Sequence, residues 1–309
     1  MDIFSDIFET VQLKGVFYFS TALAGEFGVT VPSYSNVARF HIAVEGRCYV
    51  QVTGHEPIAL NPGDVILVPY GAEHVLSDAP KREAPPLETV LQVVGYTGSG
   101  HLAVGGQDED AAKLICGHLN FVEGADHRLL RALPPYILIT PSIRARRPWL
   151  DEAIRAIVQN VFAGHPGGYA VVKRLSEVMF IEAVAAVADE APAVAKVLAG
   201  FADPQVGKAL ALVHADPTAD WTVVSLAKAV GMSRSRFAER FHALMDCGPM
   251  SYVADWRLQR ALSLLSSTPR SIGEIARAAG YKSPAAFTRA FTTSLGRSPR
   301  DYRRAHGGE

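Results

Sequence analysis

Cysteine is scarce: Cys48, Cys116 and Cys247 are odd in number and widely spaced. That excludes a disulfide framework and suits a reducing cytosol. Long hydrophobic runs are missing too, since no segment approaches the roughly 20 uninterrupted apolar residues of a membrane helix. The opening residues, Met1 to Asp6, lack the basic start and apolar core of a signal peptide. Charge of either sign is nearly balanced, with a net of -1 at pH 7. The expectation is a soluble, cytoplasmic chain with no membrane partner.

What is present is a length of 309 residues, 49% of them hydrophobic, enough for two cores. The near-zero net charge conceals an asymmetry. Residues 205–309 hold 15 Lys+Arg against 8 Asp+Glu, a net of +7, and the remainder holds 15 against 23, a net of -8. Opposed halves of this kind suggest a nucleic-acid module joined to something that does not touch nucleic acid.

The spacing divides the chain into three stretches. The first domain is residues 1–147, of which residues 1 to about 123 read mainly as β, with short Val-, Ile-, Phe- and Tyr-rich runs between Gly, Pro and Asn punctuation, as in a sandwich or barrel. One strand sets Phe40, Ile42 and Val44 on one face and Arg39, His41 and Ala43 on the other. Glu45-Gly46 and Asn61 to Asp64 read as turns, residues 77–87 and 97–112 as loops, and residues 114–121 as a late strand. Residues 148–202 turn helical. Leu150, Ile154, Ile157, Val158 and Val161 recur at helical spacing up to a break at His165 to Gly168. A second helix then carries Leu175, Val178, Met179 and Ile181 along one stripe. This pair is a candidate dimer interface, the alternative being a cover for the β-domain. Pro192 to Asp203 reads as a connection, and residues 203–309 as the basic domain. The fold class is therefore α+β multidomain.

Residues 221–304 state one pattern twice. Thr222 can cap a helix that Gly231 ends, and Ser233 can cap a second helix with Phe237, Phe241 and Leu244 inward. Fifty residues on, Ser271 to Glu274 forms a capping box, Gly280 supplies the turn, and Phe287 and Phe291 repeat the inward pair. The segment from Trp256 to Leu265 is a spacer helix. Each unit reads as a helix-turn-helix, whose second helix offers its outward positions to base edges and its flanks to phosphates. Those positions are Arg234, Ser235, Arg236, Ala238 and Glu239 on the first such helix, and Lys282, Ala285, Thr288 and Arg289 on the second. Arg289 suits a bidentate contact to guanine. Arg234, Arg236, Lys282 and Arg297 suit phosphates. Double-stranded promoter DNA is the expected partner.

Residues from about 205 to 305 resemble the AraC/XylS family of transcription regulators. The match is carried by Leu226-Ala-Lys-Ala-Val-Gly-Met-Ser-Arg-Ser-Arg-Phe237, Trp256-Arg-Leu-Gln-Arg-Ala261, Ile275-Ala-Arg-Ala-Ala-Gly-Tyr-Lys-Ser283, Phe287-Thr-Arg-Ala-Phe291 and Gly296-Arg-Ser-Pro-Arg-Asp-Tyr302. The resemblance implies promoter binding as a homodimer, usually activation through RNA polymerase, and an N-terminal domain that senses a small-molecule or redox signal. Glu239 departs from the family, many of whose members place a basic residue there.

The segment from Gly63 to Asp78, with Pro69, Gly71 and His74 at their expected spacing, resembles the second motif of the cupin barrel. Only His41 and Glu45 survive of the first motif, with Arg39 at the other histidine position. His41, His74, Cys116 and His118 form a candidate ligand set for a zinc-like divalent metal. A metal-free pocket is the alternative, and Phe40, Ile42 and Val44 compete to be the interior face. Two further readings stand beside the regulator: a metal-dependent cupin enzyme fused to a DNA-binding domain, and a redox sensor built on Cys116.

Overall fold

The computed structural model describes residues 2–98, 100–105, 111–164 and 166–306. Helix α1 (Ile3–Thr10) opens the chain. Strands β1 (Lys14–Leu23), β2 (Gly28–Val31), β3 (Val37–Glu45), β4 (Cys48–Val52), β5 (Ile58–Leu60), β6 (Val65–Val68) and β7 (His74–Ser77) follow. Helix α2 (Leu87–Val93), β8 (Gly100–Val104), β9 (Ala112–Asn120), α3 (Arg128–Arg131), β10 (Ile137–Ile139) and α4 (Pro141–Arg144) come next. The rest is helical: α5 (Pro148–Ala163), α6 (Gly168–Ala186), α7 (Pro192–Ala202), α8 (Val206–Ala215), α9 (Val223–Ala229), α10 (Arg234–Met245), α11 (Pro249–Ser267), α12 (Ile272–Ala278), α13 (Pro284–Leu295) and α14 (Pro299–His306).

The chain forms two compact units. One comprises residues 14–120 and 133–187, the other residues 1–13, 121–132 and 188–309. These boundaries differ from the sequence-based 1–147, 148–202 and 203–309. The first helix and a short excursion after β9 join the C-terminal helices, and α5 and α6 join the strands.

In the sheet unit, six strands run in the order β10-β6-β3-β9-β1-β8 and four in the order β2-β7-β4-β5. The turns at Glu45-Gly46 and Asn61 to Asp64 fall where expected, with Gly46 at φ 66° and Gly63 at φ 89°. Both faces of β3 are buried, which removes the choice posed by its sequence. Arg39, His41 and Ala43 belong to the same face, and Ala43 joins the core of Phe19, Val50, Leu60, Leu76 and Cys116. Phe40 and Ile42 are buried on the other.

Helices α5 and α6 pack on one another, and α6 also packs on β1. The approach is close: a Cβ on Gly15 would lie 2.2 Å from the Lys173 carbonyl oxygen, and the Gly15 N–H donates to Glu177 Oε1 at 3.0 Å. The stripe expected for α6 is shifted. Val172, Ser176, Met179, Phe180, Ala183 and Val184 are buried, whereas Val178 is 42% exposed. Ser176 hid the true face by satisfying its hydroxyl on the Val172 carbonyl at 2.8 Å.

Other expectations change as well. The 97–112 loop contains β8 and the start of β9; its residues 99 and 106–110, and His165 in the inter-helix break, lie outside the described residues. The connection from Pro192 is α7, which packs on α8 and α10. Among the described residues no helix is long and apolar enough to cross a membrane.

Candidate nucleic-acid interface and barrel pocket

The first helix-turn-helix is α9 and α10. Thr222 caps α9 through a reciprocal box with Ser225, and Gly231 takes φ 70° at the turn. Ser233 occupies the N-cap of α10, but its hydroxyl makes no capping hydrogen bond. Phe237 and Phe241 are fully buried with ring centroids 5.7 Å apart. Met245, rather than the half-buried Leu244, completes the inward face. Arg234, Ser235, Arg236 and Glu239 are exposed, and Ala238 is half-buried.

The second unit is α12 and α13. Ser271 and Glu274 form the expected capping box, Gly280 has φ 89°, and the Ser283 hydroxyl accepts from the Ala286 N–H at 3.1 Å. Phe287 and Phe291 are fully buried in a core with Leu262, Ile275 and Tyr302. Their burial fixes which face of α13 reaches solvent. Lys282, Ala285 and Arg289 are exposed and Thr288 is half-buried. Lys282 pairs with Asp220 at 3.1 Å, yet both side chains are more than four-fifths exposed, so a phosphate can displace that weak partner. Arg297 is placed otherwise than expected. It is half-buried, pairs with Glu123 and lies 4.8 Å from the Tyr302 ring centroid.

In the sheet unit, His41, His74 and Cys116 come together. His74 Nδ1 lies 2.8 Å from the Ala72 carbonyl oxygen, which only accepts, so that nitrogen carries the proton. His74 Nε2 must then accept, 2.8 Å from His41 Nε2. That leaves His41 Nδ1 as the acceptor for the Cys116 thiol at 3.1 Å. The result is one neutral relay, Cys116 to His41 to His74 to the backbone. Burial favours the neutral rings: it lowers His41 well below 6.5 and His74 to about 4, with Arg39 adding to the effect. His118 is brought beside Arg39, its register partner, and its ring lies 4.7 Å from that of Tyr18.

Comparison with known proteins agrees with both halves. A family model described as Cupin matches residues 2–189, and one described as a Helix-turn-helix domain matches residues 226–305. A putative AraC-like transcription regulator of Streptomyces antibioticus is 33% identical over 98% of this chain and 99% of its own length. Another of the same description from Streptomyces lividans is 31% identical over 98% of each. The chain belongs to the AraC-like transcription regulators. A solved DNA-binding domain of AdpA, described as in complex with a target DNA, is 32% identical to it. That likeness covers 33% of this chain and 92% of the other, with a TM-score of 0.32.

The ligand set inferred from sequence for this AraC-like chain does not fit one metal ion. Cys116 and His74 engage different nitrogens of the His41 ring, so one ion on His41 cannot also take both. The positive charge of Arg39 also acts on the His41 and His74 rings, which disfavours a further cation there. Among the described residues no group of three or more His, Cys, Asp or Glu side chains is arranged to hold a metal. Burial raises the Cys116 thiol well above its ordinary value, which disfavours the thiolate there.

The side chain that sequence reading passed over is Arg39 itself, noted only as a missing histidine. It is 4% exposed and lines an apolar pocket with His41 and Cys116. A charged residue alternating with apolar ones on a strand was the available signal.

Proposed function

We propose that this chain is a sequence-specific, DNA-binding transcription regulator, an activator acting as a cytoplasmic homodimer through RNA polymerase, whose barrel senses a small molecule. The observation that carries the DNA reading is the pair of buried Phe anchors, Phe237 with Phe241 and Phe287 with Phe291, each turning a polar face to solvent. Two such faces can enter successive major grooves, α13 reading bases through Arg289 and α10 adding phosphate contacts through Arg234 and Arg236. Dimerisation through α5 and α6 is supported by Trp149, Phe162, Tyr169, Val171 and Val178, large apolar side chains left exposed on that pair. A metal-free pocket accords with the neutral relay, and a regulatory role accords with the relatives better than catalysis does.

The test is selection of duplexes by the full chain, followed by titration of selected and random duplexes at several salt concentrations. Arg289→Ala should lose about 1–3 kcal/mol of discrimination while keeping most random-duplex binding. Arg234→Ala should weaken both and reduce the salt slope by about one. Arg297→Ala should leave that slope unchanged, since its charge is spent on Glu123. Equal effects of Arg289→Ala and Arg234→Ala on selected and random DNA would refute the assignment.

A further inference from the structure

Arg39 is a buried cation without a counter-ion. Its Nε is buried and unpartnered, and among the described residues no carboxylate pairs with it. Its guanidinium carbon lies 4.7 Å from the Tyr34 ring centroid and 5.9 Å from that of Tyr18. Aromatic faces attract a cation but do not neutralise it. Tyr18 cannot supply the missing charge, because burial raises its phenol above 10 despite the nearby guanidinium. Guanidinium does not shed its proton in proteins either. Nor does His118 help: it is neutral, and its Nδ1 is a second buried polar atom without a partner. A buried, uncompensated charge is among the costlier features a fold can carry.

The space beside it has a definite character. Leu23, Val29, Val31, Leu76 and Leu102 wall the pocket that Arg39 also lines. A ligand fitting these walls is apolar over most of its surface and carries one negative group at one end. A guanidinium fork matches the two oxygens of a carboxylate. A phosphate dianion would bring a second charge that nothing else there compensates.

We propose that the barrel pocket receives an organic monocarboxylate, its head group forked onto Arg39 and its apolar body against the Leu and Val walls. The ligand neutralises the buried cation and fills the hollow together. This rests on the barrel being the sensing half of the regulator and names the chemistry of what it senses.

The experiment uses the full chain, titrated calorimetrically with octanoate and 4-phenylbutanoate, with 1-octanol and 4-phenyl-1-butanol as neutral twins and with inorganic phosphate. At least one acid should bind one-to-one, about tenfold or more tighter than its alcohol, and phosphate should not bind. Arg39→Gln should erase the preference for acid over alcohol, and Arg39→Lys should keep part of it. Leu102→Trp, which fills the cavity from β8 and leaves the cation in place, should block acid and alcohol alike. The proposal is overturned if acid and alcohol bind equally, if neither acid binds, if phosphate alone binds, or if Arg39→Gln or Leu102→Trp binds acid as the native chain does. Binding to selected duplexes is measured on the same preparations. Selective DNA binding without acid binding sinks the pocket assignment alone, whereas its absence sinks the regulator reading.

Discussion

A proton arriving at His74 in the folded barrel has no free lone pair to take, because Nε2 accepts from His41 and Nδ1 donates to the Ala72 carbonyl. The unfolded chain offers that proton an ordinary imidazole. With the folded value lowered to about 4 from 6.5, the unfolded state takes up protons first as pH falls. Stability is therefore complete above about 6.5 and declines towards about 4. The buried rings of His127 and His214, each lowered to about 3 chiefly by burial, add to the same slope in the helical unit. The melting temperature should fall steadily from about pH 7 to about pH 5. His74→Gln should melt lower near neutrality yet show a shallower fall, and parallel pH profiles for the two proteins would contradict the relay. The residue types were visible in sequence. Their roles were not, because spacing places His118 beside Cys116 on a strand but cannot say that Cys116 meets His41 while His118 meets Arg39.

At the scale of single elements, reading succeeded where the determinant was local. The Ser271–Glu274 box needs only four residues, and both of its hydrogen bonds formed. It failed where a neighbouring element decided. Helix α1 went unread even though Asp2 caps it through the Ser5 N–H, because its apolar residues sit beside a strand-rich stretch. The α6 stripe went astray because two different surfaces, α5 and β1, share that helix. Ser233 stands at a cap position without forming the cap, which separates sequence propensity from a bond made. Ser271→Ala should therefore cost about 1 kcal/mol in urea denaturation and Ser233→Ala only a few tenths. Equal losses would mean that the Ser233 hydroxyl caps α10 in solution.

For the molecule as a whole, the C-terminal helices are completed by residues far away in sequence. Val122 enters the core with Leu262, Phe287 and Phe291. The Tyr302 hydroxyl donates to the Glu123 carbonyl at 2.8 Å, and the Asp126 N–H donates to Gln259 Oε1 at 3.1 Å. Ile7 and Phe8 of α1 are buried in the same unit, and α1 packs on α8 and α11. A fragment of residues 203–309, the boundary suggested by charge alone, lacks all of these. Its unfolding, followed by Trp256 fluorescence, should show a stability lower than that of the same helices in the full chain by at least about 2 kcal/mol. An unchanged midpoint would show that residues 1–13 and 121–132 are ornaments rather than parts of that unit.

The chain's own order of residues was enough to establish the regulator family, the two helix-turn-helix units, their caps and Phe anchors, and the cupin-like strands. Each of these is written within a few dozen consecutive positions, where propensity, capping and periodicity act. Tertiary structure alone decided that Arg39 and His41 share a buried face, that Cys116, His41 and His74 form a hydrogen-bonded line, and that Arg297 pairs with Glu123. Those outcomes depend on which distant strand or segment supplies the neighbour, and in a low-dielectric interior the neighbour sets charge, protonation and partner.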